Sequence, residues 1–278
     1  MTSRTITVRS KIGLVKKSKP PEPGFGPLKV DLVRPHLQAG PISWSIRWEP
    51  SVTSTQDLAR AAASEGEPEG WTIVTDRQEQ GRGRLGRPWL AVNQRDLLFS
   101  LLLYPETSLL SLLPLLAGLA LAEGLSLASG LSVDLKWPND VLIGERKLAG
   151  VLLERGPRDA VALGVGLNVN STDAELPPEA TSISIALGHP VGRESLLAAV
   201  LNAIGEGVGR VRRDGSGFIV PAWRRNSSML GRRVSYQEQG KACLATAEDL
   251  EDDGALRVRL DDGTHHRLYA GDVRMVRT

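Results

Sequence analysis

The stretch 81-GRGRLGRPW-89 places three glycines, three arginines, a proline and a tryptophan directly after the strand-like 71-WTIVTD-76. Four readings compete for it: a dinucleotide fingerprint on Gly81, Gly83 and Gly86, an Arg-Gly nucleic-acid segment, a phosphate-cradling loop, and a plain surface loop. Its neighbours separate them. In a dinucleotide fold the third glycine opens an apolar helix packed on the sheet. Here Gly86 is followed by 87-RPWLAVNQRD-96, which carries no helical apolar stripe, and no G-x-x-x-x-G-K-[ST] occurs anywhere in the chain.

Glycines let a backbone approach a ligand closely, and Arg82, Arg84 and Arg87 offer planar donor forks suited to carboxylate and phosphate. Trp89 adds a stacking surface for a purine. The combination suits an anionic nucleotide adduct that has to be enclosed.

Outward from this loop the chain reads as alternating strands and helices. Upstream lie the strand-like 44-WSIRWEP-50 and the helical 53-TSTQDLARAAASEG-66, which begins with N-cap candidates, ends in Gly66 and sets Leu58, Ala61 and Ala62 on one face. Downstream come 97-LLFSLLLY-104, an apolar helix within 109–129, and the short strands 132-SVDLKW-137, 140-DVLIG-144, 147-KLAGVLLE-154 and 160-AVALGVGLNV-169. The turn 144-GERK-147 predicts a hairpin. Residues 193–211 and 216–226 read as helical. The pattern predicts an α+β fold with a mixed β-sheet packed by helices over 28–226, in which 28–40 adds a short helix or strand. Beyond Ser227, short β runs separated by Asp-Asp-Gly turns at 252–254 and 261–263 predict a small β-barrel domain over 227–278.

Residues 1–27 combine Lys/Arg clusters with 20-PPEPGFGP-27 and are expected to form a mobile basic extension. A helix-turn-helix does not fit between this segment and the first strand. The formal net charge of +2 gives no whole-protein grip on nucleic acid, and no charge-free run is long enough for a convincing membrane span. Cys243 is the sole cysteine, which excludes an intrachain disulfide framework and fits a reducing compartment, so a cytoplasmic protein is expected. His265 and His266 are adjacent on a strand and point to opposite faces, which argues against a metal site there.

Three further clusters carry chemistry. In 136-KWPNDVL-142, Pro138 pushes Trp137 toward extended geometry, and Asn139-Asp140 sit at a bend where polar side chains can face a pocket. In 147-KLAGVLLE-154, Lys147 begins an apolar strand beside the small Ala149 and Gly150. In 163-LGVGLNVN-170, alternate glycines mark close approach by a ligand or another backbone and lead to Asn168.

Taken in order, G-R-G-R-x-G-R-x-W, K-W-P-N-D, K-L-A-G-V-L-x-E and G-x-G-x-N-V resemble the biotin protein ligases, and 53-TSTQDLA-59 looks like their T-S-T-N-x-x-A segment, with Gln56 where the family often has Asn. The resemblance spans roughly 43–278. It implies a class II synthetase-like (biotin/lipoate ligase-like) sheet domain with an SH3-like C-terminal barrel. It also implies a two-step reaction: ATP with Mg²⁺ converts biotin to biotinyl-5′-AMP, and a lysine of a carboxylase's biotin carboxyl carrier domain attacks that anhydride. Ser54, Thr55, Gln78, Gly81 and Arg82 would line the biotin site, with Gly150 near it. Arg84 and Arg87 would order the loop around the phosphates, Trp89 would stack near adenine, and Asn168 would contact the adenine edge. Lys147 would bridge the biotin carboxyl and the α-phosphate, while Asn139 and Asp140 would hold the metal–phosphate assembly or orient the incoming amine. Catalysis would then rest on Lys147, Arg84, Asp140 and Arg82, with no direct metal ligand assigned beyond Asp140. A monofunctional enzyme without a DNA-binding domain is expected, acting on no nucleic acid and no membrane, as a monomer or weak ligand-dependent homodimer. The rivals are a lipoate ligase, whose arginine/triple-glycine/histidine signature is missing, and a nucleic-acid-binding module resting on the Arg-Gly loop.

Overall fold

The structure is a computed structural model that describes residues 25–238 and 240–276. Strands β1 (Ser45–Glu49), β2 (Trp71–Thr75), β3 (Leu97–Leu103), β4 (Asp134–Lys136), β5 (Asp140–Ile143), β6 (Arg146–Arg155) and β7 (Val161–Leu167) form one sheet in the order β1-β2-β3-β7-β6-β5-β4. β1 and β2 run parallel and every other pair is antiparallel. The helices are α1 (Val30–Val33), α2 (Thr55–Glu65), α3 (Leu113–Ser129), α4 (Ile183–Leu187), α5 (Arg193–Asp214) and α6 (Ile219–Arg225).

Side-chain alternation along the strands divides the sheet into two faces. Leu97, Phe99, Leu101 and Leu103 of β3, and Leu163, Val165 and Leu167 of β7, enter one continuous core with α3 and α5. Those two helices pack closely because position 124 is glycine: a Cβ there would lie 2.9 Å from the Val200 Cα. The opposite face is only partly covered. Ala59, Ala62 and Ala63 of α2 pack on Trp71, Ile73, Leu102 and Ala162, while the even positions of β7 beyond Ala162 (Gly164 and Gly166) are left to line a cleft.

The expected stripe on α2 is rotated by one residue. Leu58 and Ala61 are exposed, and Thr55, Gln56, Ala59, Ala62 and Ala63 face inward. Polar Thr55 and Gln56 are committed to the cleft, so the apolar stripe begins one position later than hydrophobicity alone suggests. Gly66 ends the helix in the left-handed conformation, as its position predicts.

The C-terminal strands β8 (Arg233–Glu238), β9 (Lys241–Leu250), β10 (Leu256–Arg259), β11 (His265–Leu268) and β12 (Arg274–Met275) form an antiparallel sheet in the order β11-β10-β9-β8-β12. It shares the main core through Met229, Val234, Tyr236 and Leu256. Trp137, whose peptide bond to Pro138 is cis, donates its indole N–H to the Gly254 carbonyl at 2.9 Å, and Arg224 pairs with Asp249. The two sheets are thereby held in fixed register beside the cleft.

The basic extension expected over 1–27 lies outside the described residues up to 24. Phe25 and Gly26 are packed: the Arg95 guanidinium lies over the Phe25 ring, and the Gly26 carbonyl accepts a hydrogen bond from Arg193. Among the described residues no helix is long and apolar enough to cross a membrane.

Candidate functional site

The exposed half of the sheet, the 81–89 loop and the edge of the C-terminal sheet enclose a cleft of about 840 Å³. The loop is a small hairpin. Arg82 and Pro88 form an antiparallel bridge, the Gly83 N–H donates to the Arg87 carbonyl, and the Trp89 N–H donates to the Gly81 carbonyl. Leu85 at its tip takes the left-handed conformation and is 72% exposed. Gly81 lines no part of the cleft; it permits a close approach, because a Cβ there would sit 3.0 Å from the Trp89 carbonyl oxygen.

Gly164, Gly166 and Asn168 share one face of the β7 end by the two-residue period, and span about 13 Å at ~3.3 Å per residue. Gly166 is paired with Gly150 of β6. The Trp89 ring lies against this glycine pair: a Cβ on Gly166 would fall 2.2 Å from the indole, and one on Gly150 would fall 3.1 Å from it. The same ring stands 5.4 Å from Lys147 Nζ. Only glycine on both strands leaves room for an aromatic cover over the middle of the cleft.

Positive charge concentrates beside this cover. Lys147 Nζ lies 2.6 Å from Asp140 Oδ1, and Lys136 Nζ approaches the other oxygen at 3.8 Å. Arg84 reaches in from the loop and donates through one nitrogen to Asn139 Oδ1 at 3.1 Å and to the Gly271 carbonyl at 3.3 Å. Burial pulls the Arg84 guanidinium below its ordinary pKa, with Asp140 and Asp272 opposing that shift. Asn139 is itself fixed, donating to the Val151 carbonyl at 2.6 Å.

Arg82 and Arg87 are held in ion pairs on opposite sides of the loop. Arg82 turns away from the cleft centre to Asp57 and Glu154, two carboxylates that raise its pKa and neutralise it. These pairs anchor the loop beside α2, while Arg82 remains part of the cleft lining. Arg87 pairs with Asp272 of the C-terminal unit and so holds the loop from the other side.

That latch has a pH signature. The Arg87 guanidinium, joined by Arg274, lowers the Asp272 carboxyl from 3.8 to about 2. A depressed carboxylate pKa contributes stability that is complete above 3.8 and disappears as pH falls toward 2. The stability difference between wild type and Asp272→Asn in urea is thus expected to stay constant from pH 7 to about 4 and to vanish near pH 2. A difference that shrinks already between pH 7 and 5 would contradict this assignment.

At the end of the cleft formed by α2, Thr55 donates to Gln78 Oε1 at 3.0 Å and accepts from Ser100 at 2.8 Å, which locks both hydroxyls. Gln56 Nε2 donates to the carbonyls of Leu152 and Ala162, so the amide orientation is set and Oε1 faces the other way. That Oε1 is buried and has no hydrogen-bond partner among the described residues. The same holds for Ser54 Oγ, which occupies the N-cap of α2 without capping it and lies off the cleft wall. At the opposite end, Asn168 Nδ2 donates to the Thr181 carbonyl at 3.0 Å, and its buried Oδ1 is likewise unpaired. Buried acceptors without donors are costly and uncommon; of these three, Gln56 Oε1 and Asn168 Oδ1 belong to residues that line the cleft, where a ligand N–H would complete them, and Ser54 Oγ does not.

Residues 48–170 match the profile of the biotin/lipoate A/B protein ligase family, and residues 229–276 match that of the biotin protein ligase C-terminal domain. A biotin–[acetyl-CoA-carboxylase] ligase of Mycobacterium tuberculosis is 32% identical over 229 residues, covering 80% of this chain and 85% of the relative. The chain belongs to the biotin protein ligase family. A second biotin–[acetyl-CoA-carboxylase] ligase, from Paracoccus denitrificans, is 33% identical over 202 residues, covering 68% of this chain and 83% of that one. The solved biotin protein ligase of Aquifex aeolicus in complex with biotin and ATP superposes with a TM-score of 0.73 at 30% identity, over 84% of this chain and 99% of that one.

Within this ligase the sequence motifs converge as their order implied. Thr55, Gln78, Arg82, Arg84, Arg87, Trp89, Asn139, Asp140, Lys147, Gly150 and Asn168 all line the one cleft. Sequence reasoning noted Gln56 only as a departure from the family pattern, read Gly164 only as one of the alternate glycines of β7, and missed Lys136 and Asp272, all of which also line it. The alternation of glycines in 163-LGVGLNVN-170 was the available signal for Gly164. The Asp272 contact crosses from loop to C-terminal unit and has no local signature.

Proposed function

We propose that this biotin protein ligase activates biotin at the Gln56 end of the cleft, seats adenine at the Asn168 end, and passes the biotinyl group to a lysine of a carboxylase carrier domain. The observation that carries the reading is the pair of buried, unpaired acceptors at opposite ends of one glycine-lined face, with Lys147, Lys136 and Arg84 in the cleft. The ureido ring of biotin has two N–H donors and adenine has an exocyclic amine, so biotinyl-AMP offers a donor to each end. A dithiolane ring has no N–H and would leave Gln56 Oε1 unpaired, a loss of the kind that buried polar sites discriminate strongly.

In the first half-reaction a biotin carboxylate oxygen bonds to the α-phosphorus of ATP, and the bond to the bridging oxygen of pyrophosphate breaks. Bringing the two anions together is the main electrostatic cost. Lys147 and Arg84 meet it, held by Asp140 and Asn139 in orientations that need no rearrangement. The residues fit Mg²⁺ accompanying the nucleotide: Asp140 would share the ion with phosphate and water oxygens, as Mg²⁺ in nucleotide sites takes one or two carboxylates. Bound there, the ion adds neutralising charge to the phosphates. In the second half-reaction the carrier lysine amine attacks the acyl carbon, AMP departs and the amine loses a proton. Trp89 rests directly on Gly150 and Gly166, so the 81–89 hairpin has to lift this ring for the adenylate to span the face, and it then keeps water from the anhydride. The soluble carrier substrate and the single cysteine support a cytoplasmic enzyme.

Gly164 tests the biotin end separately. A Cβ there would come within 3.0 Å of the Gln56 amide carbon and 3.2 Å of Ser100 Oγ. Overpacking of this kind costs about 1–3 kcal/mol, so Gly164→Ala is expected to raise KM for biotin about tenfold to ~100-fold while leaving KM for ATP nearly unchanged. Equal rises for both substrates would remove Gln56 from the biotin end. The reading as a whole is tested by incubating the enzyme with biotin, ATP, Mg²⁺ and a carrier domain. Mass analysis should find one carrier lysine carrying biotin, and an unlabelled carrier would refute it.

A further inference from the structure

The loop that covers the cleft leaves the sheet after Asp76 and rejoins it at Asp96, and one buried guanidinium holds both ends. Arg193, 2% exposed at the start of α5, donates through a single nitrogen to Asp76 Oδ1 at 2.8 Å and to the Asp96 carbonyl at 3.0 Å. Its other terminal nitrogen donates to the Gly26 carbonyl, and Asp76 is further fixed by the Trp48 indole N–H at 3.1 Å.

The Asp96 carboxylate, 1% exposed, faces the other way. Its Oδ2 accepts from the Val92 N–H at 3.0 Å, inside the loop, and from Ser171 Oγ at 2.6 Å. Its Oδ1 accepts from the Val169 N–H at 2.8 Å, the residue immediately after Asn168. One side chain thus joins the root of the covering loop to the strand end that carries the unpaired Asn168 acceptor.

We propose that Asp96, backed by Arg193, is a positioning residue that sets the closed loop and the Asn168 seat in register, and thereby governs retention of the bound adenylate. The inference rests on the proposed ligase reading for its substrate, but the geometry of the joint does not. Asp96 touches no reacting atom and acts through Val92 and Val169.

Asp96→Asn separates the two arms of the joint. Val169 is fully buried and requires an acceptor, whereas Val92 is half-buried and can turn its N–H to water. The asparagine carbonyl therefore stays on Val169, its amide donates to Ser171 Oγ, and the Val92 N–H meets a donor and lets go. Ser171→Ala removes a hydrogen bond from the same carboxylate oxygen without touching the loop and serves as the control.

Full-length wild type, Asp96→Asn and Ser171→Ala are compared for tryptic cleavage after Arg84, ahead of the exposed Leu85, without substrates, and for loss of preformed biotinyl-AMP after gel filtration. Asp96→Asn is expected to raise both rates about tenfold or more, the loss of one hydrogen bond to a charged acceptor, and Ser171→Ala to stay within about twofold of wild type. Wild-type rates in Asp96→Asn, or equal rises in both variants, would overturn the positioning role. Should Asp96→Asn fail to fold, Arg193→Lys supplies the same two readouts, since an ammonium cannot span Asp76, Asp96 and Gly26 together, and wild-type rates in it would overturn the role equally. A wild-type enzyme that forms no adenylate defeats the ligase reading, while the cleavage comparison still decides whether Asp96 holds the loop.

Discussion

Replacing Lys147 with alanine is expected to lower biotin-dependent pyrophosphate release by about 10²–10³-fold in single turnover, the usual cost of removing a preorganised charge that faces a developing anion. The ammonium lies 2.6 Å from Asp140 Oδ1 and 5.4 Å from the Trp89 ring, at the start of β6 where the strand faces the cleft. Without it the salt bridge left to Asp140 among the described residues is the longer one to Lys136, at 3.8 Å, and its negative charge would oppose both the biotin carboxylate and the phosphates. The side chain is 34% exposed and enters neither hydrophobic core, so the thermal midpoint should move by only a few degrees. Lys147→Arg would restore charge without the same point contact and is expected to recover part of the rate. An alanine variant of undiminished rate, or one that is unfolded, would remove Lys147 from the centre of the chemistry.

Arg84→Gly is expected to leave adenylate formation measurable while raising the rate of adenylate escape about tenfold to ~100-fold. Arg84 is the residue of the covering hairpin that reaches into the cleft, onto Asn139, and simultaneously onto the Gly271 carbonyl of the C-terminal unit. Its removal deletes two hydrogen bonds from a charged, half-buried donor, each worth about 1.5–3 kcal/mol in such settings and partly replaced by water. Escaped anhydride reacts with any lysine, so the variant should label proteins that are not carriers. The check is a filter assay for bound biotinyl-AMP over time together with a survey of labelled proteins; unchanged retention would reject the closing role of Arg84. The Arg87–Asp272 pair, intact in this variant, still holds the hairpin at its rim, which is why formation itself should survive.

The parts of the site that were legible in the sequence are those whose chemistry is local. Gly81, Gly83 and Gly86 permit a tight positive loop, Asn139-Asp140 follow a proline at a bend, and Gly164 and Gly166 alternate on a strand, so each motif announces its geometry within a few residues. Their order then brought them to one cleft. What stayed hidden is long-range. The ion pair of Arg193 with Asp76 joins positions 117 apart, at the end of one patterned segment and the start of another, and neither pattern points to the other residue. Nothing near Arg82 in sequence reveals the pairs it makes with Asp57 and Glu154. The apolar face of α2 was misplaced by one residue because the cleft claims Thr55 and Gln56, a functional demand that hydrophobic periodicity does not register. Asp272 enters the site only because the C-terminal sheet docks beside the cleft, which no local rule anticipates.

An acyl acid bearing ureido N–H donors, and no other, is expected to complete the Gln56 end of the cleft for attack on ATP. The most direct test is isotope exchange between pyrophosphate and ATP with Mg²⁺, run in parallel with biotin, with lipoate and without acid. Exchange is expected with biotin, and background exchange in the other two reactions. Exchange with lipoate, or none with biotin, would contradict it.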